Sequence, residues 1–123
     1  MLDERGIDEL LKETRVIAMV GLSPDESKAS NRVAQYLTSK GYRVIPVNPG
    51  YDEILGEKSY KSLKDIPEKI DIVDIFMRPD RLLPVAEEAV TIRPRAIWLQ
   101  LGIVNEEARK LVEGSGISFV QDR

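Results

Sequence analysis

A chain of 123 residues with 42% hydrophobic and 32% charged residues lies in the ordinary soluble globular range, and its length corresponds to one domain spanning residues 1–123. The net charge of -3 argues against a phosphate-backbone partner, which calls for a concentrated basic face, and no nucleic-acid partner is expected. There is no cysteine and no histidine, so disulfides, thiol nucleophiles, Ser-His-Asp triads and thiolate- or imidazole-bound zinc are all excluded, and no metal site is expected.

The N-terminus, Met1-Leu2-Asp3-Glu4-Arg5, is charged from the start, and no apolar run has the length of a membrane span. The expectation is a soluble, cytoplasmic protein without a membrane partner. Ile7, Leu10, Leu11 and Thr14 recur at helical spacing within Gly6 to Arg15 and predict a short amphipathic helix. Val16 to Val20 follows as a continuous apolar run, the pattern of a central parallel strand covered on both faces.

The run ends at Gly21-Leu22-Ser23-Pro24-Asp25-Glu26-Ser27-Lys28, after which Val33, Ala34, Tyr36 and Leu37 mark a helix that stops at Lys40-Gly41. Tyr42 to Val47 is β-branched and strand-like, with Pro46 near its end and Asn48-Pro49-Gly50 closing it. Tyr51 to Gly56 reads as a loop or turn, and Lys58-Ser59-Tyr60 as a brief edge strand. Ile70 to Phe76 is the next strand, closed by Met77-Arg78-Pro79; a helix is expected from Asp80, its N-cap, through Ala89. Ala96 to Gly102 repeats the pattern of strand ending on glycine, Asn105 caps a helix ending at Gly114-Ser115-Gly116, and Ile117 to Val120 reads as a last strand at a sheet edge.

Strands alternating with helices predict an α/β chain: a Rossmann-like three-layer α/β/α domain with a mostly parallel sheet of five to six strands. In that arrangement the order of strands reverses between the Val16 and Ile72 strands, and a ligand enters the crevice at their C-terminal ends. Gly21 permits close backbone approach there, Ser23 offers a hydroxyl, and Lys28 and Arg32 add positive charge to an anion held by backbone amides. The competing reading of Lys28 and Arg32 is a solvated helix face. Arg78 stands at the crevice mouth as a second anion contact, or pairs with Asp80.

The dinucleotide fingerprint fails twice. The loop lacks the second and third glycines of G-x-G-x-x-G, and the second strand ends in Asn48-Pro49 where an acid would meet the ribose hydroxyls. Asp74, inside an apolar strand, is with Asp25 and Glu26 a candidate carboxylate base in an enzyme alternative acting on a nucleotide-linked substrate; the competing readings are a polar strand edge for Asp74 and solvated loop charges for Asp25 and Glu26.

Gly21-Leu22-Ser23 with Lys28 and Ser30-Asn31-Arg32-Val33, then Gly41 through Pro49, Ile75-Phe76-Met77-Arg78-Pro79 and Trp98-Leu99-Gln100-Leu101-Gly102, resemble the small stand-alone CoA-binding proteins. These are similar to the CoA-binding domain of succinyl-CoA synthetase α chains. The resemblance covers nearly the whole chain and implies a nucleotide-binding domain that takes coenzyme A, or an acyl-CoA, with its pyrophosphate at the first glycine loop. It implies that Gly21, Leu22, Ser23 and Lys28 hold phosphates, that Val47, Asn48 and Pro49 line the nucleoside pocket, and that Phe76, Met77 and Arg78, with Gln100 and Gly102, cover the other side. The ligase α chains carry a phosphorylated histidine in a further domain; this chain has no histidine, so the expectation is binding without catalysis, by a monomer or homodimer.

Overall fold

A computed structural model describes all residues, 1–123. Five parallel strands, β1 (Val16–Val20), β2 (Arg43–Val47), β5 (Ile72–Ile75), β6 (Ala96–Leu99) and β7 (Ser118–Val120), form one sheet in the order β2-β1-β5-β6-β7. The chain leaves β1 for β2 on one side and returns to place β5 on the other, so the reversal of strand order falls between β1 and β5, as the sequence pattern predicts. A separate hairpin, β3 (Glu53–Ile54) and β4 (Glu57–Lys58), lies outside the sheet.

The four helices are α1 (Glu4–Glu13), α2 (Ala29–Ser39), α3 (Leu83–Thr91) and α4 (Glu106–Gly114). Period-two alternation sends Ile17, Met19, Val44, Ile72 and Ala96 to the face that α1 and α2 cover, and Ala18, Val20, Ile45, Val47, Val73, Ile75, Ile97 and Leu99 to the face that α3 and α4 cover. Both faces are dry, which is why the strands read as unbroken apolar runs. Each fully buried leucine or isoleucine among them contributes about 1.5–3 kcal/mol relative to leaving it in water.

Local polar contacts fix the element ends. Asp3 Oδ1 accepts the Gly6 amide at 2.8 Å to cap α1, and Asn105 Oδ1 accepts the Ala108 amide at 2.9 Å to cap α4. At the N-terminal edge of the sheet, Asp71 Oδ2 accepts the amides of Arg15 and Val16 at 2.9 and 3.0 Å, tying α1 and β1 to β5. This edge therefore carries structural contacts between α1, β1 and β5.

Three expectations are corrected. The helix after β5 begins at Leu83 and not at Asp80: Pro79–Arg81 forms a single 3-10 turn, and Pro84, which has no N–H to donate, sits in the first turn of α3. Asp80 caps nothing and instead pairs with Arg78. Residues 51–56 are not all loop or turn, because Glu53–Ile54 pairs as a strand with Glu57–Lys58; the turn between them, at Leu55 and Gly56, has both residues at positive φ, the geometry such turns require. Tyr60 then joins the C-terminal end of β2 as an isolated parallel bridge to Val47. No helix is long and apolar enough to cross a membrane.

Candidate functional site

The C-terminal ends of β1, β2 and β5 meet around Gly21. Its φ of +85° is a left-handed conformation, and a Cβ at this position would collide with the Phe76 carbonyl oxygen, so only glycine lets the loop after β1 lie against the loop after β5. Gly21 N–H donates to Val47 O at 3.0 Å, and Phe76 N–H donates to Val20 O at 2.9 Å, extending the ladders one step past each strand.

From Gly21 the chain crosses to the N-terminus of α2 through a loop that is bonded to itself. Ser23 N–H donates to Ser30 Oγ at 3.0 Å, Asn31 Nδ2 donates to Ser23 O at 2.9 Å, and Asp25 accepts both the amide and the hydroxyl of Ser27 at 2.9 and 2.7 Å. Those bonds from Ser27 hold the Asp25 carboxyl below its usual range, so it stays ionised. The Leu22 amide donates to no protein group, and Lys28, the N-cap of α2, offers no side-chain cap, leaving the first-turn amides of the helix open. Open amides at a helix N-terminus, with the dipole behind them, can seat an anion.

Across the sheet edge from that seat, on the α3 side, lies a cleft of about 270 Å³. Val20, Gly21, Val47, Asn48 and Pro49 form one wall and Leu63, Met77 and Val85 the other, with Lys61, Ser62 and Glu88 at its polar margin. Asn48 is the rivet of this region: its Nδ2 donates to Leu22 O at 3.0 Å, its Oδ1 accepts the Gly50 amide at 3.0 Å, and its own amide donates to Tyr60 O at 2.9 Å. It thereby locks the β1 and β2 loops together.

The structure brings Gly21, Val47, Asn48, Pro49 and Met77 into this one cleft. Ser23 and Lys28 lie on the adjoining loop, and Arg32, exposed on the first turn of α2, donates Nη1 to Ser27 O at 2.6 Å. The Leu22 side chain does not face the cleft; it is fully buried under α2, and only its backbone remains at the site. Arg78 is exposed and pairs with Asp80 at 3.3 Å. Phe76 packs with the core layer on the α1 and α2 side, and Gly102 accompanies the exposed Leu101 in the turn after β6.

Gln100 and Asp74 stand apart from the cleft. Asp74 lies on the opposite face of the sheet, in register with Met19 and Trp98, and it lines a second cavity of about 260 Å³ with Gln100, Trp98 and apolar residues of α1 and α2. Its carboxyl is pushed up to about 7 by burial, against the opposing effect of the Gln100 hydrogen bond. The reading of Asp74 as a solvated strand edge is corrected, since it is only 3% exposed.

Sequence reading missed Lys61, Ser62, Leu63, Val85 and Glu88. Lys61 to Leu63 follow the bridge of Tyr60 to β2, and Glu88 accepts the Leu63 amide at 2.6 Å, which draws α3 onto the same margin. The alternation of Tyr60 with Pro46 and Asn48 bonds is a tertiary fact, with no local periodicity to announce it.

A profile of the CoA binding domain matches residues 15–123. The chain belongs to the CoA-binding domain family. Among its relatives, the uncharacterized protein YneT of Bacillus subtilis is 41% identical over 94% of this chain and 86% of its own length. ADP-forming acetate–CoA ligase I of Archaeoglobus fulgidus is 40% identical over 65% of this chain, but the match spans only 12% of that ligase. Of the solved structures, a hypothetical protein from Pyrococcus horikoshii OT3 superposes with TM-score 0.95 at 39% identity, covering 99% of this chain and 86% of that one. The dinucleotide-forming acetyl-coenzyme A synthetase 1 of Ca. Korarchaeum cryptofilum superposes with TM-score 0.77 at 28% identity over 93% of this chain and 27% of its own. The CoA-binding domain thus occurs both as a small chain of nearly this length and as one part of large ligases.

Proposed function

We propose that this chain, acting as a single domain over residues 1–123, binds coenzyme A or an acyl-CoA across the C-terminal edge of its sheet. The pyrophosphate occupies the anion seat of Gly21, Leu22, Ser23 and the first turn of α2, with Lys28 and Arg32 supplying positive charge. The adenosine end enters the cleft of Val47, Asn48, Pro49 and Met77, and Phe76, Arg78 and Gly102 flank the remainder of the ligand's path, whereas Gln100, bonded to Asp74 on the opposite face, takes no part in it. The observation that carries this reading is the adjacency of uncapped α2 amides to an apolar cleft at the reversal of strand order, in a member of the CoA-binding domain family.

Binding without chemistry is the favoured form of the reading. The buried carboxyl of Asp74 is the one acid with a strongly raised pKa, and it faces away from the cleft, under α1 and α2. Calorimetric titration with CoA, dephospho-CoA, NAD and ATP tests the proposal. CoA is expected to release heat and, at a hundredfold excess over Kd, to raise stability by about 2.7 kcal/mol. The absence of both heat and thermal shift with CoA would overturn it.

A further inference from the structure

The cleft beside Gly21 has one cationic side chain on its margin, Lys61. Its place is set by the backbone: Tyr60 N–H donates to Pro46 O at 3.1 Å and Asn48 N–H donates to Tyr60 O at 2.9 Å, so the next residue emerges beside Asn48 and Pro49. The Lys61 ammonium has no carboxylate within ion-pair distance and makes no hydrogen bond to the protein. The amides of Lys61 and Ser62 also donate to no protein acceptor, whereas the next amide, Leu63, is taken by Glu88 at 2.6 Å. Ser62 Oγ is turned toward Asp65 at 3.3 Å and can be redirected at small cost. Three donors without protein acceptors, one of them charged, therefore belong to two adjacent residues on the margin of the apolar cleft.

The uncapped amides of α2 lie on the other side of the sheet edge, so an anion at Lys61 is a second one, separate from the pyrophosphate. On the reading above, the ribose of the ligand sits between the two. A phosphomonoester on that ribose is the group that separates coenzyme A from dephospho-CoA, ATP and NAD. We infer that Lys61, with the Lys61 and Ser62 amides, seats the ribose phosphomonoester and makes this chain selective for the 3′-phosphorylated form of its ligand; the inference rests on the proposed CoA-binding reading. Glu88, the opposing charge on the margin, is held back by its bond to Leu63 and leaves the ammonium side of the cleft to the phosphate.

The test is a titration of the full chain and its Lys61→Gln and Lys61→Arg variants with CoA and with dephospho-CoA at two salt concentrations. Unsubstituted protein is expected to bind CoA about tenfold more tightly than dephospho-CoA, the scale of one charge-assisted contact, and to lose that preference as salt rises. Lys61→Gln should weaken CoA about tenfold with no matching loss for dephospho-CoA, and Lys61→Arg should retain most of the preference. Equal affinity for the two ligands in the unsubstituted protein, or an equal loss of both in Lys61→Gln, overturns the inference while leaving CoA binding intact. Failure of both ligands to bind the unsubstituted protein overturns the CoA reading itself and the inference with it.

Discussion

Gln100 Nε2 donates to Asp74 Oδ1 at 2.5 Å, spanning β5 and the end of β6 beneath α1 and α2. It is the single hydrogen bond offered to a carboxyl that is 3% exposed, and it only partly offsets the burial that pushes the group up to about 7 from an ordinary value of 3.8. Between those two pH values the folded chain retains a proton that the unfolded chain has released. Stability from this group is therefore greatest in acid, declines as pH rises from about 4 to about 7, and is level above that.

Asp74→Asn removes the titration while leaving an oxygen for Gln100 Nε2. At pH 8 the variant should be more stable than the parent by on the order of a few kcal/mol, and near pH 5 the gap should narrow. Urea unfolding at a series of pH values checks this. Parallel pH profiles for the two proteins would show that Asp74 is not the group responsible.

Gly21→Ala forces a side chain into the left-handed region and against the Phe76 carbonyl. A loss of about 2–4 kcal/mol is expected from the backbone conformation and the collision together. The β1 and β5 loops must separate to relieve it, so CoA affinity should fall in the same variant, measured by calorimetry at a temperature where the protein remains folded.

Asn48→Ala takes away the donor to Leu22 O and the acceptor of the Gly50 amide in one step. One partly buried hydrogen bond at about 0.5–1.5 kcal/mol, with a smaller share from the exposed one, gives a loss of roughly 1–2 kcal/mol in chemical unfolding. Asn48→Asp keeps the acceptor for the Gly50 amide but sets a carboxylate oxygen against Leu22 O, and should lose at least as much as Asn48→Ala.

Arg78→Ala separates stability from binding. Its ion pair with Asp80 joins side chains that are 75% and 65% exposed, so unfolding free energy should change by less than about 0.5 kcal/mol. If Arg78 contacts the ligand as proposed, CoA affinity drops about tenfold without a change in melting temperature; unchanged affinity would assign Arg78 to the surface pair alone.

The layers were legible because their causes are local. Unbroken apolar runs at Val16 and Ile72 mark strands buried on both sides, Gly41 marks a helix end, and Asn105 marks a helix start. Asp80 misled because a carboxylate before an apolar helical pattern looks like a cap, while Pro84 decides where α3 can start. Half of the cleft followed from strand ends, Gly21, Val47, Asn48 and Met77, whose positions the alternation of elements dictates. The other half, Lys61 and Glu88, depends on the Tyr60 bridge and on one side chain reaching the Leu63 amide, and neither leaves a trace in spacing.

The strand order carries a kinetic consequence. Every pairing in the main sheet is parallel and none is closed by a hairpin: Val16 meets Arg43, Ile17 meets Ile72 and Ala96 meets Ser118. Long loops must close before any of these contacts rewards the chain, which places folding in the slower range of small domains, milliseconds to seconds. The central pair, β1 with β5, is also the one that creates the crevice, and it joins the sheet neighbours furthest apart in sequence. No fragment ending before Ile75 can assemble the proposed ligand site, and a ligand that grips both loops holds shut the longest strand-to-strand closure in the sheet.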